Sequence, residues 1–297
     1  MPVCVVLATL LWWWPQRAFA LENLLGWVLC AVTTYICMET NTTQHIVRIR
    51  TRMMSCTWLV LASCMVFMHT WGAPAISAAC LTMSYYLLFR CYQLYDSTAW
   101  IYHSFLFLGL GSMFSPVMLF MGLMYYIYLI CFLRSLTWRG FWAGVLGMAT
   151  PYWCLAIWYA VTGRTEEIQD FLTSPMAWEP VSWQGLAGMP TGNMVTVGIV
   201  FLLSLTGLIH YMRTRYNDKI HVRMILYIYS MQTILLMIYL LLQPGRYETV
   251  MALLVASSSP LIAHYFSLTG SWFSNMFFML SLLLCGTIAY FNLWMPF

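Results

Sequence analysis

The chain has 297 residues, 62% of them hydrophobic and 7% charged, with a mean hydropathy of +0.76, whereas a soluble domain carries about a quarter charged residues. This composition marks a membrane protein. A spanning helix takes about 20 apolar residues, so eleven spans consume about 220 positions. That excludes a nucleotide-binding domain, a large catalytic domain outside the membrane and a nucleic-acid surface, because the net charge of +4 is dispersed over short loops.

Apolar runs read against their polar punctuation predict spans at 3–14, 20–39, 54–70, 74–91, 99–115, 117–133, 140–162, 194–212, 222–243, 248–266 and 272–293. The expected fold is all-α, a polytopic transmembrane helical bundle of about eleven spans forming one domain over 1–297. The first run lacks the basic segment of a signal peptide after Met1-Pro2 and reads as a retained span. Trp12, Trp13 and Trp14 before Pro15 read as an interfacial anchor at its end.

Basic residues in short loops favour the cytoplasm. With the N-terminus inside, Arg48, Arg50, Arg52, Arg90, Arg134, Arg139, Arg213, Arg215, Lys219 and Arg223 are cytoplasmic, ten against three outside, Arg17, Arg164 and Arg246. Six of the nine acidic residues fall outside: Glu22, Glu166, Glu167, Asp170, Glu179 and Glu248. The C-terminus is then periplasmic. In the periplasmic loop 163–193, Thr165 caps a short helix with two carboxylates in its first turn. Its Ile168, Phe171 and Leu172 share a face, which predicts an amphipathic helix lying on the membrane surface.

Gln44-His45-Ile46-Val47-Arg48 resembles Ile220-His221-Val222-Arg223, and Leu88-Phe89-Arg90 through Trp100 resembles Ala263-His264-Tyr265 through Trp272. The matches suggest a parallel repeat relating about 40–115 to about 215–290. The ten cysteines show no CxxC pair and no clustering with histidine, so they read as small apolar residues, and no metal site or cofactor is expected. No Gly-rich phosphate loop, HExxH or GxSxG motif occurs.

Ionisable groups within a bilayer are costly and mark function by default. His103 is the best intramembrane polar candidate, about one turn inside the cytoplasmic boundary and within reach of Asp96. His69, His210 and His264 fall at span ends, where imidazoles reach headgroups or water. Outside, Arg17 with Glu22 and Arg246 with Glu248 are opposite charges in short loops; arginine there can hold a phosphate while Glu22 acts as a catalytic base. The basic loops suit anionic headgroups, at about 1 kcal/mol per charge. Gly109-Leu110-Gly111-Ser112 and Gly140, Gly144 and Gly147 put small residues on helix faces for close packing.

Thr43 to Met54 with HIVRIRTRMM, Gly72-Ala73-Pro74, Tyr95-Asp96 and His103 to Tyr152 together resemble an uncharacterised family of polytopic inner-membrane proteins of Bacteroidota. The resemblance covers the first 160 residues and continues by hydropathy and length. More loosely, Gly109 to Pro151 resembles the membrane core of integral glycosyltransferases that use polyprenyl-phosphate sugars. That resemblance implies a catalytic carboxylate in the first outer loop, where Glu22 stands, although the loop is shorter here and a paired acidic motif is missing. The expected function is that of an integral subunit or assembly factor of a bacterial cell-envelope machine in the inner membrane, with lipids and other membrane or periplasmic proteins as partners and no nucleic acid. The alternatives are an enzyme of lipid-linked sugar transfer and a transporter of lipid or small solute, the latter with a polar cavity at His103.

Overall fold

The computed structural model describes residues 1–13, 21–49, 51–163 and 190–294. Among them the chain is all-helical, and each predicted apolar run contains an α-helix. The eleven are α1 Pro2–Trp13, α2 Leu21–Gln44, α3 Met53–Ser63, α4 Ala73–Phe89, α5 Thr98–Ser112, α6 Val117–Cys131, α7 Trp138–Thr162, α8 Thr191–Thr214, α9 Ile220–Leu242, α10 Tyr247–Leu268 and α11 Trp272–Trp294. Six of these, α2 and α7 to α11, are long and apolar enough to cross a membrane. The protein is therefore a multi-pass membrane protein. Arg17, Arg50, Trp14 and the expected amphipathic helix after Gly163 lie outside the described residues.

The expected span 54–70 is not one helix. At eleven residues α3 is about 16 Å long, half of a bilayer core. The chain turns extended at Met65 before a 3₁₀ turn over Val66–Met68. At the break stands His69, expected at a wet interface and instead buried. Its Nε2 lies 3.0 Å from the Ser63 carbonyl, one of the orphan acceptors at the end of α3. Its ring stacks on Trp12 at 4.1 Å. Trp12 is correspondingly an interior residue and not an interfacial anchor, with its indole N–H donated to the Asn23 carbonyl at 3.2 Å.

The chain forms two compact units, residues 1–75 with 182–297, and residues 76–181. In the first, α10 is the central element and packs against α3, α8 and α9. Every side chain from Val250 to His264 is buried, as expected of a helix without a polar face. Gly207 of α8 allows the close approach, because a Cβ there would come within 2.9 Å of the Leu261 backbone. In the second unit, Thr137 caps α7 by accepting from the Gly140 amide at 3.1 Å. Helices α5 and α7 then pack along the small residues singled out in the sequence. A Cβ on Gly109 would lie 2.7 Å from the Met148 carbonyl oxygen, and one on Gly147 would collide with the Tyr102 carbonyl oxygen. Ser84 of α4 and Ser104 of α5 donate to each other's carbonyls at 2.8 and 3.0 Å, the reciprocal polar pairing that joins helices where water is absent.

Candidate functional site

The polar feature with the most convergent chemistry is at one end of the first unit, where the loop after α2, the loop after α8 and the last turns of α10 meet. Helix α2 stops at Gln44 because His45 adopts the left-handed conformation, with φ of 52°, the usual way to terminate a helix although glycine is the usual residue. The loop it starts is tied down at three points. Asn41 of α2 accepts from the Val47 amide at 3.2 Å and donates to the Thr51 carbonyl at 2.9 Å. Thr51 meets Ser267 of α10 at 3.4 Å between hydroxyl oxygens. Arg48 donates through Nε to Asp218 at 2.7 Å.

Asp218 is the hub. Its carboxylate is buried and is also 3.3 Å from Nε2 of His264, which is fully buried in α10. That contact is an ion-pair distance without hydrogen-bond alignment, so neither ring nitrogen of His264 has a hydrogen-bonded partner. His210 of α8 stands beside it, ring centroids 5.7 Å apart. Burial opposes ionisation of Asp218, but the neighbouring His264 and Arg48 outweigh it and hold the carboxyl below the usual carboxylate range. A carboxyl whose folded-state value is depressed contributes stability above its unfolded value, and loses it as pH falls through the folded one. The junction is therefore expected to hold from neutral pH down to about 4, the unperturbed value for aspartate, and to loosen below it. Amide exchange of residues 45–52 measured between pH 7 and 3 checks this, with protection persisting unchanged at pH 3 as the contrary result.

Around this hub opens a groove of about 1130 Å³ whose walls include Glu39, His45, Arg48, Arg52, Ser55 and Lys219. Arg48 is committed to Asp218, whereas Arg52 and Lys219 are exposed cations with no ion-pair partner among the described residues. Ser55 is buried on the groove wall and its hydroxyl has no hydrogen-bond partner. Two exposed cations, a buried free donor and neutral polar groups from Asn41, Thr42 and Thr51 make a receptor for an anionic oxygen-rich group. Beside it, Arg215 donates to the Tyr227 hydroxyl at 2.7 Å and to that of Tyr216 at 3.0 Å.

Of the site residues expected from the sequence, the described ones Glu22, Arg246, His103 and Asp96 fall elsewhere. Glu22 is exposed in the first turn of α2, where its backbone carbonyl accepts from the Trp71 amide at 3.1 Å. Arg246 closes the 3₁₀ turn Pro244–Arg246 ahead of α10, and Glu248 is exposed two residues on. His103 is exposed on α5, its ring edge-on to Tyr102 at 5.4 Å. Asp96 is exposed in the turn before α5, and no ion pair joins it to His103 among the described residues. The basic loops were visible in the sequence as topology signals. Asp218 and His264 were not visible as a pair, since 46 positions separate them; the available sign was an acidic residue inside an otherwise basic loop. No family model, curated protein or solved structure matches the chain.

Proposed function

We propose that this is an integral inner-membrane subunit or assembly factor of a bacterial cell-envelope machine, working by binding and not by catalysis, with the groove beside Asp218 as its site for an anionic headgroup. The observation that carries the reading is the placement of Arg52 and Lys219, uncommitted cations on the wall of a cavity of about 1130 Å³ that is also lined by Ser55, whose buried hydroxyl is unused. The ion pair from Arg48 to Asp218 holds the loop after α2 and the loop after α8 at the same end of their unit. That supports an arrangement in which both loops face the cytoplasm, within an eleven-span topology with the N-terminus inside and the C-terminus outside, since basic loops are retained there. Anionic lipids of the inner leaflet are then the natural occupants.

Extraction from native membranes in mild detergent, followed by identification of the bound proteins and lipids, tests this. Envelope protein subunits and anionic lipid are expected to co-purify, and the lipid to be depleted in the Arg52→Glu, Lys219→Glu double variant. Turnover of a lipid-linked substrate by the purified protein alone in defined lipid would overturn it.

A further inference from the structure

The groove does not stop at its polar end. Met38 of α2 lines it, and also lines a second cavity, an apolar crevice of about 230 Å³ between α1, α2 and α3 whose walls include Ala8, Trp12, Trp27, Ala31 and Leu59. On α2 the crevice residues Trp27, Ala31, Thr34 and Met38 recur at helical spacing and form one stripe parallel to the axis. From Trp27 to Met38 that stripe is about 16 Å long. Asn41 and His45 continue the same progression into the groove. The stripe is apolar up to Met38 and polar beyond it. The threonine hydroxyls within the crevice are already used, Thr34 donating to the Cys30 carbonyl at 2.7 Å and Thr9 to the Val6 carbonyl at 2.8 Å.

We propose that groove and crevice are two halves of one site for an anionic phospholipid, with the phosphate held by Arg52, Lys219 and the Ser55 hydroxyl and one acyl chain laid along α2 from Met38 towards Trp27. The inference rests on the reading of the groove as an anionic-headgroup site, and adds to it the groups that hold the phosphate and the path of one acyl chain. A free phosphate would use the groove and leave the crevice empty. A neutral lipid would fill the crevice, leave two cations without a counter-charge and leave a buried hydroxyl unsatisfied. An anionic lipid uses both, and the change from polar to apolar lining at Met38 sits where headgroup gives way to chain.

The test is native mass spectrometry of the full chain from membranes of equal phosphatidylglycerol and phosphatidylcholine with matched chains, combined with a phosphatidylglycerol carrying a photoreactive group in one acyl chain. Wild-type protein is expected to retain phosphatidylglycerol in preference by roughly thirtyfold, the scale set by two basic groups at about 1 kcal/mol each at an anionic headgroup. The photoreactive chain should label the peptide spanning Trp27 to Met38. Arg52→Gln with Lys219→Gln should abolish the preference. Ala31→Phe, which fills the crevice from an exposed helix position, should cut retention severalfold. A preference that depends on Arg52 and Lys219 but is indifferent to Ala31→Phe, with labelling scattered over other helices, overturns the proposal and leaves the groove reading standing. No preference, or one insensitive to both cations, overturns both. If Ala31→Phe fails to fold, the labelling pattern in the wild type decides.

Discussion

Replacing Arg48 by methionine is expected to cost about 3 kcal/mol of stability, because it strands the Asp218 carboxylate in a buried position with His264 alone beside it. The figure is at the low end for breaking a buried pair because the Arg48 side chain is itself 41% exposed, so part of its Coulombic contribution is screened by solvent. The signature is the double variant. Arg48→Met with Asp218→Asn removes the buried charge together with its partner, and should recover at least half of the loss, since replacing both members of a pair is far less costly than orphaning one. Equilibrium unfolding in mixed micelles of increasing SDS fraction measures the cycle. A loss below about 0.5 kcal/mol in Arg48→Met, within the range of ordinary surface substitutions, would mean that the loop after α2 is held by Asn41 and Thr51 alone. In that single variant the acid-induced loosening should also begin at a higher pH, because one of the two groups that favour the ionised carboxyl is gone.

The second large effect is expected in the other unit. Gly147→Leu should cost more than about 3 kcal/mol and separate α5 from α7, because the first added carbon already collides with the Tyr102 backbone carbonyl and lies 3.1 Å from Cβ of Phe105. Neither obstacle is the flexible end of a side chain, so the helices must move apart or tilt. Gly147→Ala isolates that collision and should cost about 1–3 kcal/mol. Gly198 in α8 is the matched control. Nothing lies within 4 Å of a Cβ built there, so Gly198→Ala should be neutral or stabilising by up to about 1 kcal/mol through helix propensity alone. Equal effects at the two positions would show that propensity and not close packing sets the requirement for glycine.

Much of the architecture was legible along the chain. An apolar run of about twenty residues has few options in a bilayer, because the backbone must satisfy its own hydrogen bonds. The predicted runs at 140–162, 194–212, 222–243, 248–266 and 272–293 accordingly match helices α7 to α11 within a few residues. The small residues of α5 and α7 were legible for a related reason, since few uses other than close approach favour glycine on consecutive turns. The break after Ser63 was not, because hydropathy does not register a histidine that caps one helix end while stacking on a tryptophan from another helix.

The candidate site was legible in its parts and not in its assembly. Arg48, Arg52 and Lys219 stood out as basic loop residues, a pattern that topology explains without any binding role. Their conversion into a groove depended on His45 turning the chain, on Asn41 pinning the loop and on Asp218 joining segments 170 residues apart.

By itself the sequence determined the solvent of this protein, its helical class and the placement of its charges at helix ends, because these follow from local composition and the cost of unpaired backbone and charge in hydrocarbon. Tertiary structure alone decided which charges neutralise one another and which remain free to take a ligand. Pairing depends on distance in space, and the two loops that carry Arg48 and Asp218 and the helix that carries His264 are brought together by the packing of α10 against its neighbours, which no local pattern encodes.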